Sequence, residues 1–251
     1  AHYPGAFRLN RPPLYVFKLL RTEKALYLFM DVHHLIFDGF SVNLFLQDLA
    51  AELRGESCTA EKVSYARFAL QQQEFLAGEE AKEFDAYFGE LFADYDSPSR
   101  LTPDMPKSEI PGKAARVQTE ISQELVNKAV QRTGVSEAAF FLAVFYYVTA
   151  RLTNSDHVYI STVSAGRSDA RFMDTYGMFV NTLPLAAKLG RGSVDAFIKE
   201  TAAGLSAAIA HEEYPFAQVA DKWDYSVELL YAYQRGLISQ QGQAGEGVDM
   251  P

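Results

Sequence analysis

The chain has 251 residues, of which 48% are apolar and 22% charged, and its net charge is −9. That length holds one large domain or two small ones around a real core, and the composition is ordinary for a soluble globular protein. The acidic balance argues against a nucleic-acid binder, which is usually basic.

Leu14 to Leu20 and Ala25 to Val32 are two β-rich runs separated by Arg21-Thr22-Glu23-Lys24, a pattern that predicts an antiparallel hairpin. The second run leads into Asp31 to Ser41, DVHHLIFDGFS. If the strand reaches the two histidines, His33 and His34 point to opposite faces. Ser41 is read as the N-cap of a helix with apolar residues at Val42, Phe45, Leu46, Leu49 and Leu53, stopped by Gly55. Ser64 to Leu76 and Glu79 to Phe92 read as two more helices broken at Gly78. Asp94 to Gly112 holds Pro98, Pro103, Pro106 and Pro111 and is the expected domain boundary.

The second half is expected to open with a short strand, Ala115 to Ile121, and a helix capped by Ser122 that ends near Gly134. Ser136 then caps a helix that is apolar nearly all round, Ala138 to Leu152, which predicts a core helix. Val158 to Val163 reads as a buried strand and Met178 to Leu189 as another. Val194 to His211 reads as an Ala-rich helix, followed by short helices from Tyr214-Pro215-Phe216 and over Ser226 to Gln234. The Gln- and Gly-rich stretch from Ser239 is expected to be a mobile tail.

Several chemistries lack their residues. The single cysteine, Cys58, excludes an internal disulfide, fits a reducing cytosol and sits in a polar linker with no evident base. No stretch reaches the ~18 apolar residues of a membrane span. The start, AHYPGAF, lacks the plan of a signal peptide and an initiator methionine, so a cytoplasmic protein is expected and this sequence is expected to be part of a longer one. There is no G-x-S-x-G elbow and no phosphate loop. Adjacent strand histidines diverge, so His33, His34 and Asp38 are a poor zinc set, and no metal is expected.

The pattern His33-His34-x-x-x-Asp38-Gly39 is far more specific than a His-His pair. It resembles the HHxxxDG signature of the acyltransferase superfamily that includes chloramphenicol acetyltransferase and the condensation domains of nonribosomal peptide synthetases. Later stretches narrow the resemblance to condensation domains. Tyr65-Ala66-Arg67-Phe68-Ala69 with Gln71 is similar to YxDFAxWQ, although Arg67 replaces an acid and Leu70 a tryptophan. Ile160 to Arg167 is similar to the segment ending in AGR, Gly177 to Leu183 to GxFVNTL, and His211 to Phe216 to HQDYPF. The family's two opening motifs and its closing motif are not found, so the chain is expected to be the middle of such a domain.

The resemblance implies an α/β fold (α+β, two-layer) of chloramphenicol acetyltransferase type, with mixed sheets, helices and two subdomains around a tunnel. Residues 1–107 would be the remainder of the first subdomain, 113–238 part of the second, and 239–251 a tail. It implies peptide-bond formation between a donor acyl or peptidyl thioester and the α-amine of an acceptor aminoacyl thioester. Both would arrive on phosphopantetheine arms of carrier proteins, beside adenylation domains, with no cofactor bound directly and no nucleic-acid or membrane partner. His34 and Asp38 would be the catalytic pair: His34 as general base or amine-positioning residue, and Asp38 holding the loop through Arg167. His33 and Gly39 would support the motif, Gly39 by close backbone approach or a positive φ. Asn181 would line the tunnel. The competing readings are a stand-alone acyl-CoA-dependent acyltransferase, an epimerisation domain and a non-catalytic carrier-docking domain.

Overall fold

The computed structural model describes residues 5–58, 63–103, 115–190 and 192–234. Pro106 and Pro111 of the expected boundary, and the tail from Ser239, lie outside them. By contacts the chain forms two compact units, residues 1–82 with 165–181, and residues 83–164 with 182–251. The partition therefore breaks the chain after Lys82, not within the proline-rich stretch, and returns seventeen residues of the second half to the first unit.

The first unit starts with the expected hairpin. β1 (Tyr15–Arg21) and β2 (Leu26–Val32) pair antiparallel with Phe17 opposite Met30 and Leu19 opposite Leu28. Thr22 closes the turn, its hydroxyl accepting from the amide of Ala25 at 3.0 Å. The strand stops at Val32, so the histidines are not on it. His33 instead caps a single 3-10 turn, His34–Ile36, by accepting the Leu35 amide on Nδ1 at 3.0 Å. Then α1 (Gly39–Leu53) begins one turn earlier than the expected Ser41 cap. Asp38 is the N-cap, because its carboxylate takes the Ser41 amide at 2.7 Å. The helix stops as expected at Gly55, which has a φ of 74°. α2 (Tyr65–Leu76) follows, and α3 (Glu80–Leu91) starts after the break at Gly78 and belongs from Glu83 on to the second unit.

In the second unit, residues 115–121 form no strand; Val117 is 97% exposed and finds no ladder partner among the described residues. α4 (Gln123–Thr133) ends at Gly134, and α5 (Glu137–Thr153) is capped by Ser136, which accepts the Ala139 amide at 3.2 Å. β3 (His157–Ser164) lies between β4 (Asn181–Lys188) and β5 (Leu230–Tyr231), parallel to β5. The fully buried Pro184 sits on β4, an outer strand among the described residues, the kind of strand that tolerates proline. α6 (Val194–Ala210) and α7 (Phe216–Trp223) complete the unit.

The helix expected over Ser226 to Gln234 is absent. Leu229 and Tyr231 pack on the core, and the Leu229 carbonyl takes the Ser161 amide at 2.9 Å, so strand pairing wins there. The core joins Leu142, Tyr146 and Ala150 of α5 with Val158 and Ile160 of β3, Leu183 and Leu185 of β4, and Ala208 of α6. Only one face of α5 is core. Val144, Tyr147, Val148 and Leu152, spaced along the other face, are exposed. No single helix among the described residues is long and apolar enough to cross a membrane.

Candidate functional site

The HHxxxDG loop is fixed by what surrounds Asp38. The carboxylate is completely buried and meets only donors: the Ser41 amide at 2.7 Å, the Phe179 amide at 3.1 Å, and Nη2 of Arg167 at 3.3 Å from each oxygen. An ionised carboxylate, which only accepts, suits such a ring of N–H groups. The two amide contacts are shorter than the two to the guanidinium, so backbone N–H groups as well as the ion pair hold Asp38.

Arg167 is equally enclosed, with 2% of its side chain exposed. Nη1 donates to the carbonyls of Phe172 at 2.6 Å and Thr175 at 2.9 Å. The guanidinium carbon lies 4.5 Å from the ring centre of Phe40 and 4.0 Å from that of Phe179, so aromatic faces add a cation–π attraction. Nε has no hydrogen-bond partner among the described residues. Burial pulls the guanidinium below its ordinary pKa, and the Asp38 carboxylate opposes that shift.

This arrangement stays within one compact unit. Arg167 lies 129 residues from Asp38, yet both belong to the first unit. Two glycines make the approach possible. Gly166 has a φ of 63°, and a Cβ there would sit 2.0 Å from the Phe179 carbonyl oxygen. A Cβ on Gly177 would sit 2.2 Å from the ring of Tyr65, whose hydroxyl donates to the Met178 carbonyl at 2.8 Å. By contrast Gly39 has neither a positive φ nor any atom near its missing Cβ, so the conformational role expected for it is not used in this structure.

His34 sits at the start of the 3-10 turn with an exposed side chain that has no hydrogen-bond partner among the described residues. Its carbonyl accepts the Phe37 amide at 3.3 Å, and the Asp38 amide donates to the Gly177 carbonyl at 3.0 Å. The imidazole is thus exposed while the backbone behind it is tied down. His33 is half-buried, its ring centre 6.0 Å from that of Phe7 in an edge-to-face arrangement. Asn181 lies two residues beyond Phe179, at the first position of β4.

Several residues of the later motifs have structural contacts of their own. His211 stacks on Tyr87 at 3.8 Å and contacts the Ala207 carbonyl through Nδ1 at 2.7 Å. Tyr214 donates to Asp85, which also pairs with Lys222 at 2.9 Å. Arg67, the departure from the family's acid, is half-exposed and pairs with Glu74 at 3.6 Å, away from the Asp38 contacts. The Cys58 thiol donates to Glu52 at 2.9 Å. That contact, followed by burial and the nearby Glu52 and Asp48 carboxylates, pushes the thiol up to about 11. Such a thiol is a poor nucleophile at neutral pH.

A family model described as the condensation domain matches residues 2–228. The chain belongs to the condensation-domain family. It is similar to surfactin synthase subunit 2 of Bacillus subtilis (strain 168), with 33% identity over 226 residues, which is 87% of this chain and 6% of that protein. Its fold is that of solved family members. The first condensation domain of the calcium-dependent antibiotic synthetase, in complex with a substrate analogue, matches with a TM-score of 0.67 at 23% identity, over 89% of this chain and 54% of that one. The X-domain from teicoplanin biosynthesis matches with a TM-score of 0.76 at 19% identity, over 88% and 53%. This condensation-domain chain therefore spans about half the length of the solved domains. The resemblance read from the ordered motifs and the α/β class both stand.

Sequence reading alone missed three parts of the site: the Ser41 hydroxyl, the Gly177 and Phe179 amides, and the carbonyls of Phe172 and Thr175. Ser41 carried a signal, since a small polar residue on a helix that packs inward needs a buried partner. The amides and carbonyls carried none, because any residue type supplies them.

Proposed function

We propose that this condensation domain forms a peptide bond between a donor acyl or peptidyl thioester and the α-amine of an acceptor aminoacyl thioester. Both substrates are carried on phosphopantetheine arms of carrier proteins, next to adenylation domains in the same cytoplasmic synthetase. The observation that carries this reading is an exposed His34 on a loop whose backbone is locked by the buried Asp38–Arg167 pair.

The chemistry gives His34 a bounded task. A free α-amine has a pKa near ~8, so removing its proton before attack saves only about 1 kcal/mol. After the amine nitrogen bonds to the thioester carbon, that nitrogen becomes a strong acid. His34 accepts the proton, the carbon–sulfur bond breaks, and the imidazolium returns the proton to the departing thiolate. The products are an amide on the acceptor arm and a free thiol on the donor arm, so atoms and charges balance. General-base action of this kind contributes roughly 10²–10⁴-fold. Orienting the amine adds a proximity contribution from the same residue. Asp38 does not touch the reacting atoms in this scheme; it holds the loop. Asn181 is assigned to the substrate channel.

The test is a reconstitution of the protein carrying this chain with loaded donor and acceptor carrier proteins, read by mass spectrometry of the carrier-bound products. A dipeptidyl thioester on the acceptor carrier is expected. An inverted α-carbon with no new bond would assign epimerisation instead, transfer from acyl-CoA a stand-alone acyltransferase, and carrier binding without any product a docking domain.

A further inference from the structure

We propose that Ser41 is a positioning residue of this site, whose hydroxyl sets the direction of the loop bearing His34 by fixing the two peptide groups that meet at Gly177 and the Arg167 guanidinium. Ser41 is completely buried in the first turn of α1. Its hydroxyl donates to the Gly177 carbonyl at 3.0 Å, accepts the Gly177 amide at 3.0 Å and accepts Nη2 of Arg167 at 3.3 Å. A hydroxyl has one proton and two lone pairs, and here all three are used.

The partners are shared with Asp38. The Gly177 carbonyl also accepts the Asp38 amide at 3.0 Å, and Nη2 also donates to the Asp38 carboxylate. Ser41 and Asp38 therefore grip the same peptide and the same cation from neighbouring turns. A capping role does not explain this, because the cap bond to Asp38 uses the Ser41 backbone amide and leaves the hydroxyl out. Loss of the hydroxyl strands one group in particular. The Gly177 carbonyl keeps Asp38, and Arg167 keeps Asp38, Phe172 and Thr175, but the Gly177 amide has no other partner among the described residues. A buried N–H without an acceptor turns its peptide toward another one. That N–H belongs to the Tyr176–Gly177 peptide, and its turning about the shared Gly177 Cα disturbs the next peptide, whose carbonyl holds the Asp38 amide four residues from His34.

Threonine and valine at this position have the same shape and differ only in the hydroxyl, so comparing Ser41→Thr with Ser41→Val removes the cost of the added methyl. In the reconstituted condensation assay, kcat of S41V is expected at least about tenfold below that of S41T, with KM for both carriers within about twofold. Amide hydrogen exchange at Gly177 and Phe179 is expected to be about tenfold faster in S41V than in S41T, with α5 exchanging equally in both. Thr and Val variants within twofold of each other in both readouts would overturn the proposal. If neither folds, Ser41→Ala is compared with the parent by the same two readouts and the same limits. The kinetic readout rests on the proposed function; the exchange readout does not. A parent that makes no dipeptidyl thioester thus rejects that function, and the exchange result then decides the role of Ser41 alone.

Discussion

At the scale of single residues, the identity of position 38 is set by what points at it. Ser41, Phe179 and Arg167 all offer hydrogens, and none offers a lone pair at the carboxylate. Asparagine keeps the shape of Asp38 but turns an NH₂ group toward one of those donors, whichever way the amide is flipped. Asp38→Asn is therefore expected to destabilise by about 3–5 kcal/mol, the usual cost of leaving a buried charge without its partner. Arg167→Met is expected to cost a similar amount, and the double variant less than the sum of the two. Urea denaturation of the four proteins checks this. Strict additivity would mean that the two side chains do not act as a pair. Arg167→Lys is no remedy, because an ammonium cannot reach the Phe172 and Thr175 carbonyls and the carboxylate in one planar fork.

At the scale of elements, the loop over residues 165–181 is shaped by glycines that leave no room for a side chain. Gly166→Ala meets both a left-handed φ and a backbone oxygen, and is expected to cost about 2–5 kcal/mol as the sum of the two penalties. Gly177→Ala meets the Tyr65 ring, which is itself anchored through its hydroxyl, and is expected to cost about 1–3 kcal/mol. Gly39→Ala, at the open start of α1, is expected to be neutral or to stabilise by up to about 1 kcal/mol. Denaturation midpoints that rank Gly39→Ala as the most damaging would contradict the assignment of strain to Gly166 and Gly177.

The hairpin, five of the seven α-helices among the described residues to within a residue or two, and the central strand β3 were legible because apolar spacing and terminal Gly or Ser residues agree there. The misread elements share a cause. Residues 115–121 alternate like a strand, and 226–234 carry apolar residues at near-helical spacing, but strands exist only through partners that local pattern does not contain. β5 forms because Ser161 and Thr162 of β3 supply them. Ser41 looked like a cap because capping and buried bridging use the same residue type. The Asp38–Arg167 pair spans 129 residues of sequence. Nothing in the spacing announces it; the ordered family motifs do.

At the scale of the whole molecule, the two units differ in what holds them. The first is built around a buried polar lock, and the second around an apolar core fringed with tyrosines. Burial pushes Tyr87 and Tyr225 up to about 12, and Tyr225 also donates to the Ile160 carbonyl at 2.7 Å. The sign follows from the unfolded value near ~10. Below that pH the phenols are protonated in both states, so their contribution to stability is fully present. Between roughly pH 10 and 12 the unfolded chain ionises first, and the contribution is lost as pH rises through the folded value. Urea midpoints are expected to fall across that window, and to fall less steeply in Tyr225→Phe. An identical slope in the variant would mean that Tyr225 is not responsible.

In the proposed function the reacting group is His34. His34 is exposed, so His34→Ala is expected to leave the fold and the carrier affinities unchanged. The decisive measurement is single-turnover peptide-bond formation by the His34→Ala form of the protein carrying this chain, with loaded donor and acceptor carriers, across a range of pH. The predicted result is a fall of roughly 10²–10⁴-fold. A loss below about tenfold at every pH would contradict the general-base role proposed for His34.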